Sequence, residues 1–438
     1  KGYKEILVYK NLSLIIIFFI LSQCSLDTKT GLWTKKENLL ENKDNLEEIF
    51  RSEEILKKEF NPSLKIKLKT SYSQNSFVNN QTNNLGYINF ESDLNEISKF
   101  KFKKIKNFEN INPELLIGSD NSLIFFDEKG SILKFDQSSN LMWKKNHYNK
   151  KEIKQNPVIY FATNNKLLFA ADNLANFYLM NYATGELLWK NYNTAPFNSE
   201  IKIFDDKVFL VDFENIIRCI SIKDGKELWN FQTEKSYIKS NRKLSLIIIN
   251  ESVVFIDSYG DISALDVRSG NLLWQSQTIN ESIFENSFLL KSSNLVSDKE
   301  SIFVSNNQNK LFAINNNNGL IKWEQTINSY LQPTIIENLL FTISQEGYLF
   351  VIDKKNGNIL RSTYIFDETK NKDVYPTGFI VGKKNIYVSL NNGRLLKVKI
   401  EDGKLKSVIK IDGDKISRPY VLNQNMYILR NNAIVKIK

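Results

Sequence analysis

The chain reads as an all-β protein, an eight-bladed β-propeller of four-stranded antiparallel blades closed by pairing of N- and C-terminal strands. Three observations predict it. A hairpin pattern recurs at a near-constant spacing, each recurrence carries strand-like alternation, and the last repeat stops one strand short.

The pattern is clearest from Gly260 to Trp274, GDISALDVRSGNLLW. An alternating run leads into a Ser269-Gly270 turn, and a second apolar run ends in Trp274. Period-2 alternation around a glycine that tolerates positive φ is a hairpin signature. Copies end at Trp189 (ATGELLW), Trp229 (KDGKELW) and Trp323 (NNGLIKW). Two later copies keep the glycine and lose the Trp: KNGNILR, with Gly357 and Arg361, and EDGKLKS, with Gly403 and Ser407. QSSNLMW keeps Trp143 but has Ser139 at the glycine position. From 143 through 189, 229, 274, 323 and 361 to 407 the steps are 46, 40, 45, 49, 38 and 46. A period of that length with strands in every unit fits a propeller blade and not a helical solenoid.

Closure follows from the C-terminus. Pro419 to Ile437 matches only the first three strands of a unit when set beside Pro376 to Ile400. An open blade edge invites aggregation, so the fourth strand is expected from the N-terminal β region, within 72–106. In that region and just before it, Ser63 to Lys69 (SLKIKLK) alternates strictly, and Tyr87–Phe90 and Phe100–Ile105 read as strands. Seven complete units and one composite blade make eight.

Ahead of the propeller, residues 1–24 read as an export signal. Lys1, Lys4 and Lys10 precede the apolar run Leu12–Leu21, too short for a membrane-spanning helix, which needs about 17–25 residues. Leu21-Ser22-Gln23-Cys24 resembles a bacterial lipobox, with Gln23 where the pattern prefers Gly, Ala or Ser, and implies lipidation at Cys24. Ser25, in place of an Asp, points to the outer membrane. Residues 25–70 read as a polar tether with a short helical stretch between Glu37 and Phe60, docking on the domain or on a partner. The propeller is expected over 71–438.

The chemistry-bearing residues are sparse. The net charge is +10, but 49 acidic residues are interspersed with the basic ones and no aromatic–basic motif accompanies them. Nucleic acid is therefore not an expected partner. KFKKIK, over 101–106, reads as a strand with alternate lysines facing water. His147 is the single histidine, which excludes His-clustered metal sites and argues against a Ser-His-Asp triad; its lysine-rich loop reads as solvent-exposed. Cys219, in the apolar run IIRCISI, reads as a buried free thiol. The recurring Trp reads as a wedge between neighbouring sheets. Asn181, Asp266, Asn315 and Asp353 are placed to hydrogen-bond back to the turn backbone. No catalytic, cofactor-binding or metal-ligating residue is assigned, and no partner-binding residue can be placed.

Ala264 to Trp274 fits A-L-D-x-x-[ST]-G-x-x-x-W in full, and so resembles the repeat of the PQQ-type β-propellers; the repeats cover roughly 113–438. A lipoprotein signal followed by one such propeller is similar to the BamB family of outer-membrane assembly lipoproteins. The resemblance implies a non-enzymatic scaffold without a cofactor, lipid-anchored at the periplasmic face of the outer membrane of a Gram-negative bacterium. It implies binding to a BamA-like barrel-assembly protein through propeller loops, and contact with unfolded outer-membrane proteins. Two alternatives remain: a PQQ-dependent quinoprotein dehydrogenase, or a propeller lipoprotein with a different protein partner. Such dehydrogenases typically carry an adjacent cysteine pair and a carboxylate-lined calcium site, and here no two cysteines are adjacent.

Overall fold

The computed structural model describes residues 57–69, 72–73, 81–94, 96–106, 114–233, 242–278, 290–366 and 373–438, with 108, 111 and 239–240 between them. It also describes the backbone of a small hairpin, in which Cys24–Leu26 pairs antiparallel with Trp33–Lys35. The expected export signal, lipidation at Cys24 and the tether before residue 57 otherwise fall outside the described residues.

Eight four-stranded antiparallel sheets carry the chain, as its repeat predicts. Blade 1 spans 116–145, blade 2 159–192, blade 3 202–232 and blade 4 246–276; blades 5, 6 and 7 span 296–326, 334–364 and 376–410. Blade 8 is composite. Pro419–Leu422, Asn425–Arg430 and Ala433–Ile437 form three strands, and Glu96–Lys101 supplies the fourth, with Phe100 opposite Ile434. Phe100 then meets Phe135 of blade 1 edge-on at 5.4 Å, which ties the two ends of the ring together.

The inner strands are apolar on both faces because each sheet is covered on both sides. In Lys207–Val211, Val208 and Leu210 pack with Phe169 and Leu179 of blade 2, while Phe209 and Val211 pack with Leu246 and Phe255 of blade 4. Successive side chains of a strand point to opposite faces, so a continuous apolar run fills two interfaces at once. Cys219 sits in the second of these interfaces as a buried free thiol, and burial pushes its pKa up to about 12.

The seams between blades use the repeated Trp. Trp189, Trp229, Trp274 and Trp323 each donate Nε1–H to a carbonyl of the next blade: Ile222 (3.1 Å), Val267 (3.3 Å), Asn316 (3.0 Å) and Lys354 (2.9 Å). Each acceptor lies three residues before that blade's turn glycine, on which the indole rests. Asp266 Oδ1 accepts from the N–H groups of Arg268 and Ser269, Asn181 Oδ1 from those of Ala183 and Thr184, and Asn315 and Asp353 each accept from the N–H two residues on. Ser139 takes the glycine place in the shortened first turn at φ +73.

Four expectations need correction. Ser63–Lys69 forms no strand: it crosses from blade 7 to blade 6, so Ile66 N–H reaches Glu401 O (2.9 Å) and Lys69 N–H reaches Glu337 Oε1 (2.6 Å) without a continuous ladder. Tyr87 to Phe90 makes only isolated bridges, and the strand expected over Phe100–Ile105 runs instead from Glu96 to Lys101. The alternation in these stretches reflects burial of one face against the ends of other blades. His147 is half-buried, packed edge-on to Tyr178 at 5.7 Å, and burial lowers its pKa.

Candidate functional site

The connectors that lead into the innermost strands converge on one opening. Residues from the connectors ahead of blades 1 and 4–8 line a cavity of about 680 Å³. Its basic lining residues are Lys239, Arg242, Lys291, Lys415 and Arg418, against one acidic residue, Glu114. Tyr330, Tyr375, Phe379 and Ile416 supply much of the remaining wall.

The channel below is closed by the chain itself. Gln81 O accepts from Ile248 N (2.8 Å) and Thr82 O from Ser297 N (3.0 Å). Asn84 exchanges hydrogen bonds with the backbone of Ile335 (3.1 and 3.0 Å), and Ile88 N–H reaches Val381 O (2.9 Å). Residues 81–88 thus cross the innermost strands of blades 4 to 7, completing backbone hydrogen bonds that a bare channel would leave open.

Asn83 is the hub of this crossing. Its Nδ2 donates to Glu200 Oε2 (2.9 Å), Leu295 O (3.0 Å) and Ser245 Oγ (3.3 Å), and Lys202 Nζ donates to its Oδ1 (2.5 Å). Glu200 also accepts from Ser245 Oγ (2.7 Å), Leu246 N (3.0 Å) and Asn294 Nδ2 (2.8 Å), which satisfies a carboxylate that is almost wholly buried. Gln332 links floor to cavity: its Nε2 donates to Asn83 O, and its Oε1 accepts from Arg418 Nη1 (2.5 Å). Lys202 is buried beneath, and desolvation lowers its pKa.

The field at the opening is positive. Burial raises the Glu114 pKa, yet its ion pair with Lys243, helped by Arg418 and Lys202, holds the carboxyl below its ordinary range. Lys239 is paired with Glu214 (2.5 Å), and Lys415 donates to Ile111 O (3.3 Å). Arg242 and Lys291 have no carboxylate partner among the described residues, and Lys291 Nζ lies 5.1 Å from the Tyr330 ring centroid. Among the described residues, no group of three or more His, Cys, Asp or Glu side chains could hold a metal ion.

A second surface lies on the rim. Just ahead of the Trp position, blades 1 to 5 expose Leu141 and Met142, Leu187 and Leu188, Leu228, Leu272 and Leu273, and Leu320 and Ile321, at 42–66%. On blade 6 the chain covers its own edge. Phe60 and Ser362 exchange backbone hydrogen bonds at 3.0 Å each, Ser362 Oγ donates to Lys58 O (3.1 Å), and Tyr348 Oη donates to Lys57 O (2.8 Å).

Neither surface was assigned from the sequence. The cavity residues lie in connectors of unequal length outside the repeated hairpin. Their one sequence signal is position: Arg418 directly precedes the strand Pro419–Leu422, and Arg242 lies shortly before Leu246–Ile249.

Fold and site together define an eight-bladed propeller with PQQ-type hairpin repeats and a self-plugged channel. A family model described as outer membrane protein assembly factor BamB matches residues 128–363, more than half of the chain, and the chain belongs to that family. No curated protein sequence matches it. Among solved structures, BamB from Moraxella catarrhalis is similar at TM-score 0.62 and 15% identity, over 79% of this chain and 97% of that one. Quinohemoprotein alcohol dehydrogenase from Comamonas testosteroni is similar at 0.60 and 9%, over 80% of this chain and 78% of that one. The C-terminal WD40 domain of Sif2 is similar at 0.57 and 12%, over 80% and 99%. Identities this low establish a shared propeller architecture and nothing finer.

Proposed function

We propose that the chain is a non-enzymatic scaffold of the outer-membrane β-barrel assembly machinery, anchored through a lipid on Cys24 at the periplasmic face. In this reading it holds a BamA-like assembly protein by propeller loops and blade edges, with unfolded outer-membrane proteins as a second class of partner. The observation that supports it is the rim. An outer strand offers unpaired backbone groups to an added strand, and residues 57–60 occupy blade 6 in that way. The leucines of blades 1 to 5 place apolar side chains beside comparable edges. A closed ring tolerates this use because its core lies between blades, away from the rim.

Affinity purification from mildly solubilised membranes tests the reading. It is expected to recover an outer-membrane barrel protein bearing periplasmic repeat domains, and replacing Leu187, Leu188, Leu272 and Leu273 by Ser is expected to weaken that recovery. Cys24→Ser is expected to release the protein from the membrane. A protein that purifies alone, with the absorbance of a bound quinone, would overturn the scaffold reading in favour of a quinoprotein dehydrogenase.

A further inference from the structure

The cavity above the plug gathers cations that the rim does not use. Arg242 and Lys291 face it without a carboxylate partner among the described residues, while Glu114 is engaged by Lys243. Arg418 is fixed by Gln332 through one nitrogen, yet its Nε is buried with no hydrogen-bond partner. A buried cationic donor left without an acceptor, as at Arg418 Nε, is unfavourable, and an anion that reaches it removes that cost. Burial lowers the pKa of both Arg242 and Lys291, and the charge of Arg242 lowers that of Lys291 further. Two like charges that face one cavity repel each other, and an anion between them relieves both.

We propose that this blind cavity binds a carboxylate-bearing ligand, with Arg242 and Lys291 as its charge partners, Arg418 as a deeper donor, and Tyr330 and Tyr375 as its walls. The guanidinium of Arg242 offers paired donors that match the two oxygens of a carboxylate. The volume of about 680 Å³ lies within the range of small-ligand sites. Residues 81–88 close the far end, so the ligand enters and leaves by the connector face and no strand passes through. The same chemistry comes from an acidic peptide segment or from a free polycarboxylic acid.

Two probes separate these sources on the full chain: a fluorescein-labelled hexaglutamate peptide, followed by anisotropy, and citrate, followed by calorimetry. A hexaglutamine peptide serves as the uncharged control. At least one acidic probe is expected to bind, at least tenfold more tightly than hexaglutamine in the case of the peptide, and more weakly as salt is raised. Arg242→Gln with Lys291→Gln is expected to weaken binding at least tenfold. Lys67→Gln with Lys410→Gln, which removes the same charge from exposed positions outside the cavity, is expected to leave it nearly unchanged. Peptide binding without citrate binding assigns a polypeptide segment as the source, and the converse assigns a small acid. The proposal is overturned if neither acid binds, or if the cavity pair and the exposed pair have equal effects. Because recovery of a barrel protein through the rim does not depend on these cations, its outcome is independent.

Discussion

Trp229 of blade 3 lies against Gly270 of blade 4 so closely that a Cβ on the glycine would stand 2.6 Å from Cδ2 of the indole. Gly270 also sits at φ +74. Two requirements coincide there, a left-handed backbone and bare contact with a ring. Gly270→Ala is expected to lower stability by roughly 2–4 kcal/mol, from backbone strain together with overpacking. Denaturant unfolding of the full chain measures it, and an unchanged midpoint would refute the account of the seam.

The indole N–H is worth different amounts at different seams. Trp274 donates to Asn316 O at 3.0 Å, but Trp143 Nε1 is buried with no partner. The matching carbonyl, Tyr182 O, instead accepts from Lys134 Nζ at 3.3 Å. Trp274→Phe should therefore cost about 1 kcal/mol or more, while Trp143→Phe should fall within about 0.5 kcal/mol of the parent. Equal losses in the two variants would show that the hydrogen bond is not what distinguishes them.

Arg361 occupies the Trp place in blade 6 and is fully buried. Its guanidinium donates to Ile400 O (2.8 Å), Glu401 O (2.6 Å) and Leu64 O (3.0 Å), so one side chain joins blade 7 and the N-terminal segment to blade 6. Arg361→Leu removes all three hydrogen bonds and is expected to destabilise the fold by roughly 2–4 kcal/mol. Limited proteolysis should then cut sooner within residues 57–69 than elsewhere in the propeller.

Asp257 carries a pH dependence. Burial, with the neighbouring Asp261 charge second, raises its pKa to about 7. Its Oδ1 accepts from the backbone N–H groups of Tyr259, Gly260 and Asp261. A folded-state pKa above the unfolded one means that this group's contribution is fully present below about 4, the unfolded value, and is lost as pH rises through about 7. Asp257→Asn keeps the Oδ1 acceptor and removes the charge. It is expected to stabilise the protein by roughly 1–3 kcal/mol at pH 8 and much less near pH 5. Melting temperatures of parent and variant across that range test the sign; a difference that does not grow with pH would refute it.

The sequence by itself determined the number of blades, the four-strand unit, the turn position and the composite blade. Each of these rests on local chemistry. A glycine at positive φ, an Asp or Asn that caps the turn, and an apolar run buried on both faces impose the same hairpin wherever they recur. Even the missing last strand was legible, because an unpaired edge in a closed ring has one remedy. Which residues supplied that strand was legible only as a region, since Ser63–Lys69 and Tyr87–Phe90 alternate as Glu96–Lys101 does.

Only the tertiary structure decided what sits at the axis and on the rim. Gln81 to Ile88 show no repeat, and their role as a plug depends on exposed backbone groups contributed by several blades. Arg242, Lys291 and Arg418 belong to three different connectors and become one site because ring closure brings those connectors together. Residues 57–60 look like the end of a tether, yet they cover the edge of blade 6 because that edge was open. Hairpins are written in neighbouring residues, whereas a shared axis exists only once the ring has closed.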